Sequence, residues 1–138
     1  MTVATAITFT WLGMVLAISF LEAPLKFRAP GVTLPLGLGI GRVVFAALNR
    51  VEAGFALGLA ACLVAGPRAT LPVVFAAVAV VALVVQLVAV RPALTRRSDR
   101  VLAGEDGPRS HAHFVYIGLE VLKVAALLAF GIAVLATA

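Results

Sequence analysis

The sequence is short of almost everything that a water-facing surface needs. Asp, Glu, Lys and Arg together make up 12% of its 138 residues, while hydrophobic residues make up 63%. A soluble domain of this length cannot hide so much apolar surface, so lipid is expected to cover the outside. Cysteine is nearly missing. Cys62 stands alone in an apolar run, which excludes a disulfide framework within one chain and leaves a small buried apolar side chain. Acidic residues are scarce as well: six face eleven Lys and Arg, for a formal charge of +5. The basic residues are not interleaved with aromatics, which argues against nucleic acid as a partner. A cleavable signal peptide is also a poor match. No Lys or Arg precedes the first apolar stretch and no Ala-x-Ala site follows a short one, so that stretch is expected to stay as a span.

What is present is four apolar runs, at about residues 5–24, 41–65, 71–90 and 113–136, each near the ~20 residues that cross a hydrocarbon core. Runs of this length joined by short connections, without apolar-polar alternation, cannot close a barrel. The expected fold is all-α: a single transmembrane domain, an integral membrane four-helix bundle with both termini on the same side. The first connection is rich in helix breakers (Pro24, Pro30, Gly31, Pro35, Gly37 and Gly39), so an irregular Gly/Pro segment is expected between helices 1 and 2. Gly66-Pro67-Arg68 reads as a tight helix stop, and Ser110 as a cap for the fourth helix.

Positive charge sets orientation. Loop 3 carries Arg91, Arg96, Arg97, Arg100 and Arg109, and loop 1 carries Lys26 and Arg28, against Arg68 alone in loop 2. The expectation is a multi-pass protein of the cell inner (plasma) membrane with loops 1 and 3 cytoplasmic and membrane lipid around it. Gly54 and Gly58, four apart, would allow close helix packing within the bundle or between subunits, and a homo-oligomer is expected.

Six charged residues fall inside or at the edge of the runs: Glu22, Arg42, Arg50, Glu52, Glu120 and Lys123. An isolated charge at the bilayer centre costs at least ~2.5–3.5 kcal/mol on insertion scales, so mutual pairing inside the bundle is expected. Glu52 lies about 16 Å along its helix from Gly41, near the bilayer middle. His113, Tyr116, Glu120 and Lys123 fall within an arc of about 80° on span 4, and Glu120 and Lys123 are an i,i+3 pair. Arg42 and Asn49 share a face of span 2, with Arg50 and Glu52 on either side of it. Thr8, Trp11, Ser19 and Glu22 form a stripe on span 1. Span 3 offers only Gln86, so spans 1, 2 and 4 are expected to supply the polar interior while span 3 fills space or faces lipid.

The candidate polar site is therefore Glu22, Lys26, Arg42, Asn49, Arg50, Glu52, His113, Tyr116, Glu120 and Lys123. Gly37, Gly39 and Gly41 before span 2, beside Arg42, Lys26 and Arg28, could present backbone N–H groups to an anion such as a lipid phosphate or a carboxylate, or could serve only to bend the chain. His111 and His113 point about 160° apart on a helix and cannot share one metal, so no metal or cofactor is assigned.

The stretch Ser19-Phe20-Leu21-Glu22-Ala23-Pro24-Leu25-Lys26-Phe27, followed by Gly41-Arg42-Val43-Val44-Phe45 and by His113-x-x-Tyr116-x-x-x-Glu120, resembles the transmembrane protein 205-like family of small four-span membrane proteins. That family pairs a proline-phenylalanine motif after span 1 with a glycine-led span 2. The likeness runs over most of the chain through short motifs, and the chain departs from it in a longer Gly/Pro segment. The family has no firmly established reaction. A role in export or drug tolerance is discussed for its eukaryotic members, so the resemblance implies a lean towards transport.

Three functions fit these residues. The first is ligand or ion binding and transport, with the acids taking protons or cations and the bases holding an anionic group. The second is a membrane-embedded enzyme acting on a lipid-soluble substrate, with Glu52 or Glu120 and His113 or Tyr116 as its acid/base pair. The third is a structural or accessory subunit whose charges only fix helix register.

Overall fold

The computed structural model describes residues 2–66, 69–105 and 111–137. Pro67, Arg68, Pro108, Arg109 and Ser110, to which the sequence assigned a helix stop, a loop charge and a cap, lie outside the described residues. The described chain forms four helices: α1 (Thr2–Arg28), α2 (Leu34–Ala65), α3 (Thr70–Leu102) and α4 (His111–Ala136). Each is long and apolar enough to cross a membrane, so the chain is a polytopic membrane protein built as an all-α four-helix bundle. Large apolar side chains such as Val43, Leu57, Val64, Val88 and Ile132 are exposed on the outside, where lipid replaces water. Helix α1 packs against α2 and α4, and α3 packs against α4 and α2. The helices therefore form a ring in which α2 and α4 face each other across the centre.

Three helices run further than the apolar runs. The sequence places ends near Pro24 and Val90, yet α1 continues to Arg28 and α3 to Leu102. A proline inside a helix loses one hydrogen bond and its ring crowds the carbonyl four residues back. Both helices accommodate this by widening the preceding turn. Leu16–Glu22 and Gln86–Val90 are π-helical, with the Ala23 N–H donating to Ile18 O and the Arg91 N–H to Gln86 O. The widened turns precede Pro24 and Pro92 by two residues, so each helix carries its proline without stopping.

The Gly/Pro segment is irregular only over residues 29–33. Helix α2 begins at Leu34, where the Thr33 hydroxyl accepts from the Leu36 N–H at 3.3 Å and Pro35 sits in the first turn. Gly37 and Gly41 lie one turn apart on the face that meets the end of α1. A Cβ on Gly37 would run into the Phe27 ring, and one on Gly41 would sit 3.0 Å from Lys26 Nζ. The glycines thus let the first hairpin close tightly instead of breaking the helix.

The apolar core fills the half of the bundle away from these extensions. Trp11, Val15, Leu59, Leu83, Leu127 and Phe130 are buried there, and Cys62, a free thiol, packs against them. Of the two glycines singled out for packing, Gly58 meets Ile7 Cδ1 at 3.1 Å, while Gly54 is exposed and meets nothing. The tighter approach is at Gly131, where a Cβ would stand 2.6 Å from Phe9 Cζ. Gly131→Val should therefore separate α1 from α4 and lower stability by about 1–3 kcal/mol, as overpacking does. Gly54→Val should leave the thermal unfolding midpoint in detergent unchanged. Equal effects of the two substitutions would refute this account of the α1–α4 contact.

Candidate functional site

At the centre of the bundle one ammonium group is held by three helices. Lys123 Nζ of α4 lies 2.5 Å from Glu52 Oε1 of α2, 2.5 Å from Glu120 Oε1 of its own helix, and donates to Gln86 Oε1 of α3 at 2.8 Å. All three ammonium protons are thereby engaged. Helix α1 joins through Trp11, whose Nε1–H donates to Glu52 Oε1 at 2.9 Å. The Gln86 amide donates to Glu120 Oε1 at 2.7 Å and to the Tyr116 carbonyl at 3.4 Å. Glu52 and Lys123 are 0% exposed and Glu120 1%.

Each carboxylate uses one oxygen twice and the other not at all. Oε1 of Glu52 takes Trp11 and Lys123, and Oε1 of Glu120 takes Gln86 and Lys123. Among the described residues, Oε2 of both glutamates and the Tyr116 hydroxyl are buried without a hydrogen-bond partner. Polar oxygens buried without a partner in the protein are costly, and such groups call for a physical explanation.

Above this cluster, towards the connections between α1 and α2 and between α3 and α4, the bundle opens into a cavity of about 400 Å³. Its walls are largely apolar, with Phe20, Phe27, Phe45 and Ile117 prominent, and Tyr116 and Glu120 reach it from the cluster side. Tyr116 meets Phe45 edge to face at 5.8 Å. Four basic side chains line the cavity: Lys26, Arg42, Arg91 and Arg97. Lys26 pairs with Glu22 at 3.5 Å and stands 5.6–5.7 Å from the ring centres of Phe27 and Phe45. Arg91 covers the Phe45 ring from 5.7 Å. Arg42 bonds Asp99 at 2.7 Å, tying α2 to the polar extension of α3. Both π-helical turns border the site: Ser19 and Phe20 line the cavity from the first, and Gln86 opens the second.

The ten residues singled out from the sequence therefore separate into groups. Glu52, Glu120 and Lys123 meet in the buried cluster. Lys26, Arg42, His113 and Tyr116 line the cavity, as Glu120 also does, and Glu22 pairs with Lys26 beside it. Asn49 is buried one helical turn before Glu52. Arg50 stands apart. It is exposed on the outside of α2, about 12 Å beyond Arg42, and a helical side chain leans towards the N-terminal end, here the basic end. Its guanidinium can snorkel along that wall towards lipid headgroups and does not belong to the interior.

Span 3 is corrected by the structure: it is no filler, since Gln86 bonds both Glu120 and Lys123. Asp99 also went unremarked in the sequence, because 57 positions separate it from Arg42. The anion site considered at Gly37, Gly39 and Gly41 is closed at two points by Phe27 and Lys26. Among the described residues no three His, Cys, Asp or Glu side chains converge as metal ligands would. His111 is exposed at the start of α4, whereas His113 lines the cavity.

The site belongs to a class, the polytopic membrane protein with ionisable residues buried between its helices. No known family model, curated protein or solved structure matches this chain.

Removing the cation tests the cluster. Lys123→Met leaves two buried carboxyl groups without their counter-charge, which should cost about 3–5 kcal/mol. Neutralising the whole cluster, with Lys123→Met, Glu52→Gln and Glu120→Gln together, should recover most of that loss. Thermal unfolding in detergent measures both. A single Lys123→Met variant as stable as the parent would show that the lysine does not hold the bundle.

Proposed function

We propose that the protein binds a small amphipathic anion in the cavity at its basic end and acts as a carrier for it. The observation that bears this reading is the cavity itself: aromatic and aliphatic walls for an apolar body, and a basic lining for an anionic group, in which Arg91 and Arg97 add to the ion-paired Lys26 and Arg42. A volume of about 400 Å³ suits a small organic molecule and is too large for a bare ion. The apolar core seals the opposite half of the bundle, so the cavity opens towards one end, as a carrier does when it waits for its ligand. The π-helical turns beside the cavity are breaks of the kind often found at functional sites. The resemblance to the transmembrane protein 205-like family leans the same way. The basic end, which holds loops 1 and 3, would face the cytoplasm of a plasma membrane, and subunits would associate through the lipid-facing helices.

The reading fixes a ligand preference. Octanesulfonate, which stays ionised at any working pH, should bind to the protein in lipid nanodiscs more tightly than octanol or octylammonium does, with empty nanodiscs as the reference in calorimetry. Arg91→Gln should weaken octanesulfonate by about tenfold to a hundredfold, the worth of one charge-assisted contact. Arg50→Gln, outside the cavity, should leave it unchanged. Tighter binding of octylammonium, or equal binding of all three probes, would refute an anion site.

A further inference from the structure

The buried cluster is one positive charge short. Glu52 and Glu120 bring two carboxylates, and Lys123 brings one ammonium, all essentially inaccessible. With both carboxyls ionised the cluster carries a net charge of one negative unit in a medium that supports almost none. Gln86 and Trp11 add dipoles but no charge. The positions left open are the two Oε2 atoms, one on each carboxylate, and neither has a hydrogen-bond partner among the described residues. Glu120 also lines the cavity, so one member of the cluster is reachable from the basic end while Glu52 lies behind it.

We propose that the Glu52–Lys123–Glu120 cluster is a proton-binding site: it holds one exchangeable proton, shared between its two carboxyl groups and delivered through the cavity at Glu120. The step is a simple protonation. A carboxylate oxygen takes a proton from a hydronium ion in the cavity: one O–H bond of the hydronium breaks and leaves water, an O–H bond forms on the carboxyl, and the cluster goes from one negative charge to neutral. The proton belongs to the pair, since both carboxylates lean on one ammonium.

The other ionisable groups do not change this count. Helix α1 brings Glu22 and Lys26, paired at the cavity wall, and α2 brings Arg42, paired with Asp99. Helix α3 brings Arg91 and Arg97 at the cavity, and α4 brings Tyr116 and His113 there. All lie on the cavity side of the cluster.

The proton site has a consequence for the ligand reading, on which only this part rests. An anion entering the cavity approaches Glu120 and disfavours the charged form of the cluster. At a pH high enough for the cluster to have lost its proton, binding an anion therefore takes one up, and by reciprocity a proton strengthens the anion's binding. One linked proton gives at most about tenfold in affinity per pH unit, rising as pH falls.

Infrared spectroscopy of the protein in lipid at neutral pH tests the proton directly. A neutral buried carboxyl shows a carbonyl stretch well resolved from carboxylate bands. The parent protein should show it, and both Glu52→Gln and Glu120→Gln should lack it, because either leaves one carboxylate for one ammonium. Far-ultraviolet circular dichroism and the size-exclusion elution volume confirm that each variant is folded. A parent spectrum without the band, or one in which the band persists in both variants, would overturn the proposal. So would a band that appears only when sodium is withdrawn, which would make the balancing charge a metal cation. The octanesulfonate affinity of the parent should rise as pH falls from alkaline values to neutrality, while that of Glu52→Gln should be flat over that range. If octanesulfonate fails to bind but the infrared result holds, the ligand reading fails and the proton site stands. If octanesulfonate binds without pH dependence, the coupling is refuted.

Discussion

Everything in this bundle is arranged around the difficulty of keeping Lys123 charged in the middle of a membrane. Its ammonium has no route to water, so its three protons must find acceptors within the protein. They find one on α2, one on α3 and one on α4, and the α2 acceptor is steadied by the indole of α1. Four helices are therefore fastened at one point. Dispersion forces between apolar helices in lipid are weakly directional, and they leave rotation and register loosely set. The cluster sets both, because turning any helix by one residue would move its contribution out of reach. The alanine-rich face of α3 (Ala76, Ala79 and Ala82, all buried) brings that helix close to α4 along the same line.

The remainder divides into two halves with different demands. Beyond the cluster on one side the interior is apolar and filled. On the other the helices outgrow the membrane: α2 and α3, at 32 and 33 residues, are about 48–50 Å long against a hydrocarbon core of ~30 Å. The excess carries most of the basic residues and forms the walls of the cavity. Pro24 and Pro92 lie where α1 and α3 pass from one half to the other, and each is preceded by a widened turn. A helix with an unsettled hydrogen-bond ladder at that level can change its bend at lower cost than one with a regular ladder. The first such place borders the cavity, and the second borders the buried cluster through Gln86.

Much of the site was legible in the sequence, for reasons that can be traced. Glu120 and Lys123 are one turn apart, and helical periodicity alone puts them on one face. The depth of Glu52 follows from counting along its run, and the cost of burial demands that it be paired. What escaped was whatever depended on a neutral group or on direction. Gln86 is a single amide in the most apolar of the four spans. It carries no charge to be balanced, so charge arithmetic passed over it, although a lone polar residue in such a run has the same need for a partner. Arg50 was drawn inwards by the same arithmetic, but a long side chain near the basic end can satisfy itself from outside. The prolines and glycines were read as breakers, which they are in isolation. In the fold, Pro24 and Pro92 are absorbed by π-helical turns, and Gly37 and Gly41 make room for Phe27 and Lys26. Both outcomes depend on neighbours that local sequence does not name.

The same geometry weighs the competing functions against each other. Acid/base catalysis needs two groups that can reach a common substrate. Glu52, sealed behind Lys123, touches nothing that enters the cavity. Glu120 presents only the oxygen that Lys123 and Gln86 leave free, and its candidate partners in the cavity, Tyr116 and His113, stand about one and two turns before it on the same helix. A purely structural pin would be better served by one acid for one lysine, since the second carboxylate adds burial cost without a charge to meet. The surplus acid makes sense if its charge state is meant to change. On the proposed reading, a cluster that is neutral with a proton and negative without one, at the floor of a cavity lined by bases, would convert the arrival of an anion into the uptake of a proton whenever the cluster has lost its own. That conversion is the minimum a proton-driven carrier would require, and the proposal places it on four helices around one lysine.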